Sequence, residues 1–526
     1  MPAGLHSAGT AEFVHSDAPI LPAPTALAAF VGRTLKGPVD IPVPIADFAQ
    51  FTQVFGGLWS ESPLSYAVEQ YFEHGGTAAL IVRVANGGRP PTLDLPAGDG
   101  LLSFAGLSPG RGEHLRAAVD HDGIAPGDTE RFNLIVQQVR ERRSERIIAQ
   151  EIYRRVSLSG NGADHVARAL ESSRLVRLAG ALPRSRPEAT QAAAGPQGVG
   201  YYVADNGDGD DGRPLDEYDL IGSESIRRGM FALEGRVFNL LCMPSPDPRR
   251  DLGPQALLAA SAFCRRHHAL LLVEPPQDWR DGATALAGLR GAPFRASDAL
   301  MFFPRVETPD RLVPGQSVGF ASGGVVAGLL AAADRAATDW WNAPPPQLHQ
   351  RQGCRLQASP SASESLQLAA LGVNVLGDGR STSATALPLR AMHPTTTVAG
   401  STLSLRAQRL LSWIALSIER ATRWASRERD EPDVGERACQ QVLEFLDRLH
   451  AANAFQSVGL EGRPFAIADS SINDLAVTVR GEFRMVYGLG PATGRQAPLA
   501  WLLVQKATGA RTQSVVVNPY ALRSRA

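Results

Sequence analysis

The stretch Ala269 to Arg305, ALLLVEPPQDWRDGATALAGLRGAPFRASDALMFFPR, holds two short apolar runs with a helical segment between them. We predict that both runs, Ala269 to Glu274 and Ala299 to Arg305, are buried strands, because short apolar runs of this length suit strands. The segment Ala283 to Arg290 between them is predicted as a helix. A strand, a helix and a second strand in this order predict two parallel strands joined by a crossover helix.

The same alternation continues on both sides of this stretch. A predicted strand, Val237 to Met243, and a predicted helix, Pro254 to His267, come before it, and the predicted helix Gly324 to Ala337 follows it. Repeats of this kind indicate a parallel sheet with helices on its faces. We therefore expect an α/β middle domain of subtilisin-like topology over residues 201–369.

The segment before residue 86 predicts a compact βααβ unit. Ala26 to Gly32 and Ala79 to Val84 are apolar runs typical of buried strands. Between them, Ala46 to Phe55 and Ser65 to His74 are predicted as helices, and Gly75 follows the second helix as a stop.

The remaining parts of the chain give three further predictions. Residues 86–200 are expected to form a small mixed domain with Gly- and Pro-rich linkers. Residues 370–507 hold two long amphipathic helices with strands before and after them. The segments that carry these predictions are strands at Phe132–Arg140, Ile147–Val156, Arg174–Leu178, Ala370–Leu376, Leu475–Leu489 and Ala500–Gln505, and helices at Leu403–Trp424 and Val434–Ala452.

Both ends of the chain read as extended arms, over residues 1–24 and 508–526. Thr512 to Asn518 is β-branched, lacks an internal proline and contains Val515, Val516 and Val517, so it is a good donor strand for a neighbouring sheet. The segment around Glu12, Phe13 and Val14 is a weaker N-terminal counterpart. The alternative is that both ends are frayed termini.

The composition excludes several classes of protein. A net charge of −1 argues against a general nucleic-acid binder, which needs a basic surplus on one face. The four cysteines show no C-x-x-C spacing and predict buried thiols in a reducing compartment. Met1 to Phe13 lacks the basic and apolar regions of a signal peptide, and no apolar run approaches the roughly 20 residues of a membrane span. We expect synthesis in the bacterial cytoplasm.

The sequence contains few candidates for catalytic residues. Lys36 and Lys506 are the only lysines, and neither precedes Ser or Thr in a glycine-rich turn, so a P-loop is excluded. Ser322, before two glycines at a strand-to-helix turn, is the best nucleophile candidate, although it does not match a G-x-S-x-G elbow. His267 and His268 lack neighbours at metal-ligand spacing. We predict a protein that is not an enzyme and uses no cofactor.

Two further segments can be interpreted either as a functional site or as an ordinary structural feature. Asn206, Asp208, Asp210 and Glu217 stand at positions 1, 3, 5 and 12 of a calcium loop, but position 6 is Asp211 instead of glycine, so a solvated turn is favoured. Trp340 and Trp341 are either a ligand platform or an aromatic lid on a domain, and the lid is favoured.

Several segments, taken in this order, resemble the contractile tail sheath family of phages, pyocins and injection systems. The resemblance rests on the following stretches: Ala28–Arg33, Lys36–Val39, Phe55–Trp59, Phe72–Gly76, Val82–Val84, Ser173–Val176, Leu371–Asn374 and Ile418–Trp424. Each stretch is a weak motif by itself, but their occurrence in this order is specific to the family. The N-terminal arm and the region Ala466 to Asp474 depart from the family pattern.

The resemblance implies a structural subunit of a sheath that polymerises around an inner tube and contracts to drive the tube through a cell envelope. It implies an inner domain built from residues 25–85 and 370–507, with the middle of the chain inserted as outer domains. It also implies arms that exchange strands between subunits. The implied partners are other copies of the chain, the inner tube protein, and baseplate and terminator or cap proteins. The mature location would be a phage tail or a released injection particle.

On the helix Val434 to Ala452, the charged residues Arg437, Glu444, Asp447 and Arg448 point away from the apolar stripe and are predicted to face the tube. Two alternatives remain open. The chain could be a minor, baseplate-proximal or cap-like sheath homologue, or a cytoplasmic α/β enzyme with Ser322 at its site.

Overall fold

A computed structural model gives the positions of most of the chain. The described residues are 18–98, 100–142, 146–160, 162–190, 201–291, 294–337, 339–341, 354–377, 389–396, 402–490 and 498–517. None of the helices in these ranges is long and apolar enough to cross a membrane.

The first half of the chain is rich in strands. Its N-terminal part contains β1 (Ala28–Gly32), β2 (Val43–Ile45), α1 (Phe48–Phe55), α2 (Pro63–Glu73) and β3 (Ala79–Arg83). The segment after it contains β4 (Thr92–Ala97), β5 (Gly100–Gly106), β6 (His114–Asp120), β7 (Arg131–Val139), β8 (Ile147–Ser157), α3 (Val166–Glu171), β9 (Val176–Ala179) and β10 (Val203–Ala204).

The second half alternates strands and helices and then ends in a meander of strands. Its first segment contains α4 (Glu217–Ile221), β11 (Leu240–Cys242), α5 (Pro254–Arg266), β12 (Leu270–Val273), α6 (Gly282–Arg290), β13 (Ala299–Phe303), β14 (Val306–Pro309), β15 (Ser317–Phe320), α7 (Gly323–Ala336), β16 (Arg355–Leu356), α8 (Ala362–Ala370) and β17 (Val373–Val375). Its last segment contains β18 (Thr395–Thr396), β19 (Thr402–Leu403), α9 (Leu405–Ala421), α10 (Val434–Ala451), α11 (Ala454–Ser457), β20 (Pro464–Ile467), α12 (Leu475–Val479), β21 (Glu482–Leu489), β22 (Leu499–Lys506) and β23 (Gly509–Val515).

A seven-stranded sheet in the order β17-β13-β12-β11-β1-β3-β2 forms the centre of the fold. Its strands are parallel except for β2, which runs antiparallel to β3. The apolar side chains of α5 and α6 pack on one face, and those of α1, α2 and α7 pack on the other. The parallel sheet with helices on both faces confirms the α/β prediction from the strand–helix repeats.

The central sheet takes strands from three parts of the predicted division of the chain. Strands β1 and β3, which were expected to build an inner domain with residues 370–507, share this sheet with β17 of that part and also with β11, β12 and β13 of the middle segment. All five residues of β1 are buried, so its backbone needs a partner strand on each edge, and β11 supplies the second one.

Residues 92–204 form two antiparallel sheets that share one apolar cluster, with strand orders β4-β5-β9 and β10-β6-β7-β8. We call this part the outer β region. The predicted strands at 132–140, 147–156 and 174–178 correspond to β7, β8 and β9. The mixed domain expected there consists almost entirely of strands in the described residues, with α3 as a short helix.

Helices α9 and α10 pack on the antiparallel sheet β20-β21-β22-β23, and their apolar side chains form one cluster. We call this unit the C-terminal body. Both long helices were predicted, whereas the strand predicted over 475–489 is wrong in its first part. Asp474 accepts a hydrogen bond from the Val477 amide and so begins α12, and Gly481, at φ +71°, ends the turn before β21.

Candidate assembly surfaces

The C-terminal strand lies in the chain's own sheet. β23 pairs with β22 from Lys506↔Gly509 to Ala500↔Val515, which leaves a hairpin loop of two residues. Such a short loop closes at little entropic cost, so local pairing wins over pairing with a distant strand. The predicted donor strand is therefore already paired as far as Val515.

Beyond Val515 the backbone leaves the hairpin. Val516 is 72% exposed and Val517 is half-buried, and neither belongs to a strand. β23 is also the last strand of its sheet, so within the described residues its outer edge has no neighbouring strand. An unpaired edge followed by an exposed valine is a surface suited to strand addition.

Of the N-terminal arm, Glu12, Phe13 and Val14 lie outside the described residues. The part that is described, Ala18 to Thr25, does not extend away from the molecule as predicted for residues 1–24. This segment, which we call the strap, lies across α9 and α10, with Ile20 and Ala23 at 1% and 4% exposure. Both side chains belong to the apolar cluster of the C-terminal body.

On α9, three residues one turn apart contact the backbone of the strap. Trp413 Nε1 donates to the Ala23 carbonyl at 2.7 Å, and Ser417 Oγ accepts from the Ala23 amide at 2.9 Å. Arg409 Nη2 lies 3.4 Å from the Thr25 carbonyl.

On α10, two residues seven apart contact the beginning of the strap. Gln441 Nε2 donates to the Ala18 carbonyl at 2.6 Å, and Arg448 Nη2 donates to the Ile20 carbonyl at 3.3 Å. The spacings on both helices place these residues on one face of each helix. The strap is thus held by side chains that contact its main chain.

The four charged residues predicted to face a tube divide into two groups. Glu444 and Asp447 are exposed on α10, as is Arg448, although Arg448 also holds the strap. Arg437 forms ion pairs with three neighbouring carboxylates and lies over the Trp424 ring at 5.0 Å. These contacts within the chain mean that Arg437 stabilises the loop before α10. It is therefore less suited to contact a partner.

The predicted calcium loop is not assembled as a metal site. Among the residues that the structure describes, no three His, Cys, Asp or Glu side chains are placed to hold a metal ion. Asp208 accepts hydrogen bonds from the Thr92 amide and hydroxyl at 2.7 and 2.8 Å, and Asp210 accepts one from the Gly212 amide. Asp208 therefore ties this loop to the start of β4, and Asp210 stabilises a turn within the loop.

Ser322 does not have the surroundings of a nucleophile. Its side chain is buried and donates to the Phe302 carbonyl at 3.1 Å, next to the start of α7. His267 Nε2 lies 3.2 Å from Glu234 and His268 Nε2 lies 2.9 Å from Glu419, so neither histidine faces this hydroxyl as a base. The second pair joins the turn after α5 to α9.

A cleft of about 50 Å³ is lined by residues that follow the carboxyl ends of β11, β12 and β13, among them Ser245, Glu274 and Arg305. Parallel α/β sheets bind ligands at this edge. Burial raises the pKa of Glu274 to about 7, although the nearby Arg305 guanidinium opposes the shift. Ser322 does not line this cleft.

Trp340 and Trp341 pack against Trp413, with ring centroids at 6.2 and 5.8 Å, and both are nearly buried. Of the two interpretations, this packing favours the aromatic lid, because the rings cover the apolar cluster of the C-terminal body.

The groove that holds the strap was not predicted from the sequence. Pro19, Pro22 and Pro24 indicated an extended segment, and the polar residues Ser417 and Gln441 interrupt the apolar faces of two helices. Helix α8 was not predicted either, although Ser361 and Glu364 form a capping box, which is a recognisable signal for the start of a helix.

The fold has counterparts among solved structures. No protein family model and no curated protein matches the sequence. The sheath tail protein of Listeria innocua superposes with a TM-score of 0.56 at 13% identity, covering 93% of this chain and 96% of its own. The contracted sheath of the anti-feeding prophage covers 98% and 99% at a TM-score of 0.46 and 12% identity. The contracted PVC sheath of an extracellular contractile injection system covers 99% and 96% at a TM-score of 0.43 and 12% identity.

Proposed function

We propose that this chain, which has the fold of a sheath tail protein along nearly its whole length, is a structural subunit of a contractile tail sheath. Copies of it polymerise around an inner tube, and their contraction drives the tube through a target cell envelope. The observation that carries the proposal is the shared fold over 93% of the chain, because a match of that extent covers several parts of the chain and not a single common sheet.

The position of the chain ends supports assembly through the termini. The strap and β23 both belong to the C-terminal body, since Ile20 and Ala23 lie in its apolar cluster and Ala510 of β23 packs against that cluster. Strand exchange through the N-terminal arm, and strand addition at the outer edge of β23 and at Val516 and Val517 after it, would then link C-terminal bodies directly. Main-chain hydrogen bonds of added strands tolerate changes of sequence and rotation of the units that they join.

The partners and locations follow from the same proposal. The chain assembles in the bacterial cytoplasm with further copies of itself, the inner tube, and baseplate and terminator or cap proteins, and it ends in a phage tail or a released particle. No step of this role requires a cofactor or a catalytic residue. The buried, engaged Ser322 hydroxyl supports a role without catalysis.

Negative-stain electron microscopy tests the proposal. The full chain is compared with two shortened versions, one lacking residues 1–17 and the other lacking residues 516–526, which include Val516 and Val517. We expect helical tubes from the full chain and separate particles from both shortened chains. Because both cuts spare the strap and β23, circular dichroism and thermal unfolding should match those of the full chain.

Tubes that form equally well without either terminal segment would contradict assembly by terminal strand exchange. Particles that stay separate even when tube and baseplate proteins are supplied would contradict the sheath role itself. A full chain that caps tubes of another sheath protein without polymerising would identify the minor, cap-like component instead.

The exposed face of α10 is proposed to contact the inner tube weakly through Glu444 and Asp447. The test reverses both charges, Glu444→Lys and Asp447→Lys, and leaves Arg448 in place because it binds the strap. Weaker co-sedimentation with the tube protein at about 0.01 M salt is expected, since exposed charges act over about 30 Å there. Unchanged co-sedimentation would reject this face.

A further inference from the structure

We propose that the groove between α9 and α10 is a binding site for an extended, proline-rich peptide segment, and that the strap of the same chain occupies it. The site binds main-chain carbonyl groups and one apolar side of the peptide. Its existence does not depend on the proposed function, although the mechanical role derived from it below does.

The sequence of the strap explains why carbonyl groups are bound. Pro19, Pro22 and Pro24 have no amide hydrogen and a fixed φ near −65°, so the strap is extended before it binds and can donate few hydrogen bonds. A binding site for such a segment must therefore supply donors. Preorganisation by proline also lowers the entropy that is lost on docking.

The groove supplies those donors. The carbonyls of Ala18, Ile20, Ala23 and Thr25 accept from Gln441, Arg448, Trp413 and Arg409 respectively. The Ala23 amide, which no proline ring removes, donates to Ser417. Every one of these contacts is between a helix side chain and the backbone of the strap.

The apolar side chains of the strap follow the period of an extended proline-rich segment. Ile20 and Ala23 are buried and three residues apart, whereas Leu21 between them is 75% exposed. A polyproline helix has three residues per turn, so positions i and i+3 share one side. That side packs into the cluster around Trp413, and an aromatic surface is what proline-rich ligands usually contact.

The groups that line the groove are themselves held in place. Ser417 Oγ donates to the Trp413 carbonyl at 2.7 Å, which leaves its oxygen to accept from Ala23. Gln441 Oε1 accepts from Trp424 at 3.1 Å, which directs its amide nitrogen to Ala18. Arg409 is paired with Asp334. Groups fixed in this way lose little freedom when the strap binds.

In the proposed function, the strap is the segment that joins the N-terminal arm to the folded part of the chain. Tension applied to residues 1–17 by a neighbouring subunit would reach α10 and α9 before it reached β1. The strap therefore protects the central sheet from the load and delivers it to the C-terminal body, from which β23 also leaves.

Hydrogen exchange of the full chain tests whether the groove holds the strap. Ser417→Ala removes the acceptor of the Ala23 amide, and Trp413→Phe removes the donor to its carbonyl while keeping an aromatic ring. Each should speed exchange of the Ala23 amide by roughly fivefold, the factor that corresponds to one ordinary hydrogen bond. Ser426→Ala is the matched control, because its buried hydroxyl bonds only Arg423; exchange at Ala23 should not change.

Amides of β12, in the central sheet, show whether a substitution destabilises the whole chain or only the strap. They should exchange at the same rate as in the unchanged chain. An Ala23 amide that already exchanges at the rate of an unfolded peptide in the unchanged chain would overturn the proposal. Equal acceleration by the Ser426→Ala control would overturn it as well.

A cysteine pair identifies the occupant. In the full chain carrying Ala23→Cys and Ser417→Cys, mild oxidation should form a disulfide within one chain, seen as a mobility shift on a non-reducing gel. The chain with Ala23→Cys alone is the control, since Cys439 is the half-buried native thiol among the described residues. Disulfide-linked dimers would show that a second copy supplies the strap, and absence of any cross-link would show that the strap is not bound; either result overturns the proposal. Both tests use unassembled protein, so they can fail while the sheath role stands.

Discussion

At the scale of single residues, buried charges decide how the stability of the fold responds to pH. Glu69 on α2 is almost fully buried, and its carboxylate lies 2.9 Å from the guanidinium of Arg311. Burial raises the pKa of Glu69 to about 7 even though Arg311 opposes the shift. The folded state therefore binds the Glu69 proton more tightly than the unfolded state, whose pKa is near 4.5.

The first prediction is that Glu69→Gln stabilises the chain at pH 8 and not at pH 4.5. Above pH 7 the wild-type folded state carries a buried charge, and this destabilising contribution disappears as the pH falls from 7 to 4.5. The expected gain in the free energy of unfolding at pH 8 is about 1–3 kcal/mol. Denaturant unfolding at the two pH values measures it, with Glu61→Gln at the exposed surface as the control. A gain that is the same at both pH values would contradict the prediction.

Glu482 at the start of β21 shows the opposite shift. Hydrogen bonds from Lys506 and Arg484, at 2.9 and 2.7 Å, lower its pKa to about 2. The second prediction is that Glu482→Gln destabilises the chain at pH 7 and that the difference from wild type shrinks as the pH falls from 4.5 towards 2. This follows because the contribution of a depressed carboxyl pKa is present above the unfolded pKa and is lost through the folded one. Thermal unfolding across this pH range measures it; a difference at pH 2 as large as that at pH 7 would refute it.

At the scale of elements, close packing of α7 on α2 depends on the absence of side chains. A Cβ atom on Gly324 would lie 2.1 Å from the Ala67 carbonyl oxygen, and one on Gly328 would lie 2.5 Å from the Tyr71 carbonyl oxygen. Both neighbours are backbone atoms of α2, which do not move without shifting the helix. The sequence predicted α7 but not this reason for its glycines.

The third prediction is that Gly328→Ala destabilises the chain by about 1–3 kcal/mol, the usual cost of overpacking. The sign is informative, because alanine in an unconstrained helix interior would stabilise it by roughly 1 kcal/mol relative to glycine. Chemical denaturation measures the change, and Ala336→Leu at the exposed end of α7 is the control. A stabilised Gly328→Ala variant would show that the two helices are not in close contact.

At the scale of the whole molecule, buried charges lie where the outer β region meets the central sheet. Arg83 at the end of β3, Lys36 after β1 and Glu113 before β6 are all less than 7% exposed. Arg83 donates to the Gly37 carbonyl at 2.7 Å, and Gln138 of β7 donates to Glu113 at 2.7 Å. Burial raises the pKa of Glu113, and the attraction of Lys36 opposes that shift.

The fourth prediction is that Glu113→Gln weakens this junction. Without the carboxylate, Lys36 and Arg83 lose a buried counter-charge, and an uncompensated buried group costs roughly 1–3 kcal/mol. Faster hydrogen exchange in residues 107–113 and faster proteolysis near residue 87 are expected. Glu141→Gln, on the surface of the same region, is the control and should leave both rates unchanged. Unchanged rates in Glu113→Gln would show that the charges do not hold the two units together.

Elements with a local signal could be predicted from the residues alone. The apolar runs of β1, β3, β12 and β13, the amphipathic stripes of α9 and α10 and the strand–helix order of the middle segment were all predicted, because each depends on the spacing of neighbouring residues. The resemblance of the sequence to the tail sheath family agrees with the fold that the chain shares with a sheath tail protein. For the calcium-loop spacing, where a solvated turn was favoured, the sequence could not decide between the two interpretations, because spacing does not say whether side chains turn to one point.

The pairing of distant segments, in contrast, is visible in the tertiary structure alone. That structure placed β1 between β3 and β11, turned Thr512 to Val515 back onto β22, and laid the strap in the groove of α9 and α10. Strand partners and docking grooves are chosen by burial and by hydrogen-bond satisfaction across hundreds of residues, and no local pattern in the sequence encodes that choice.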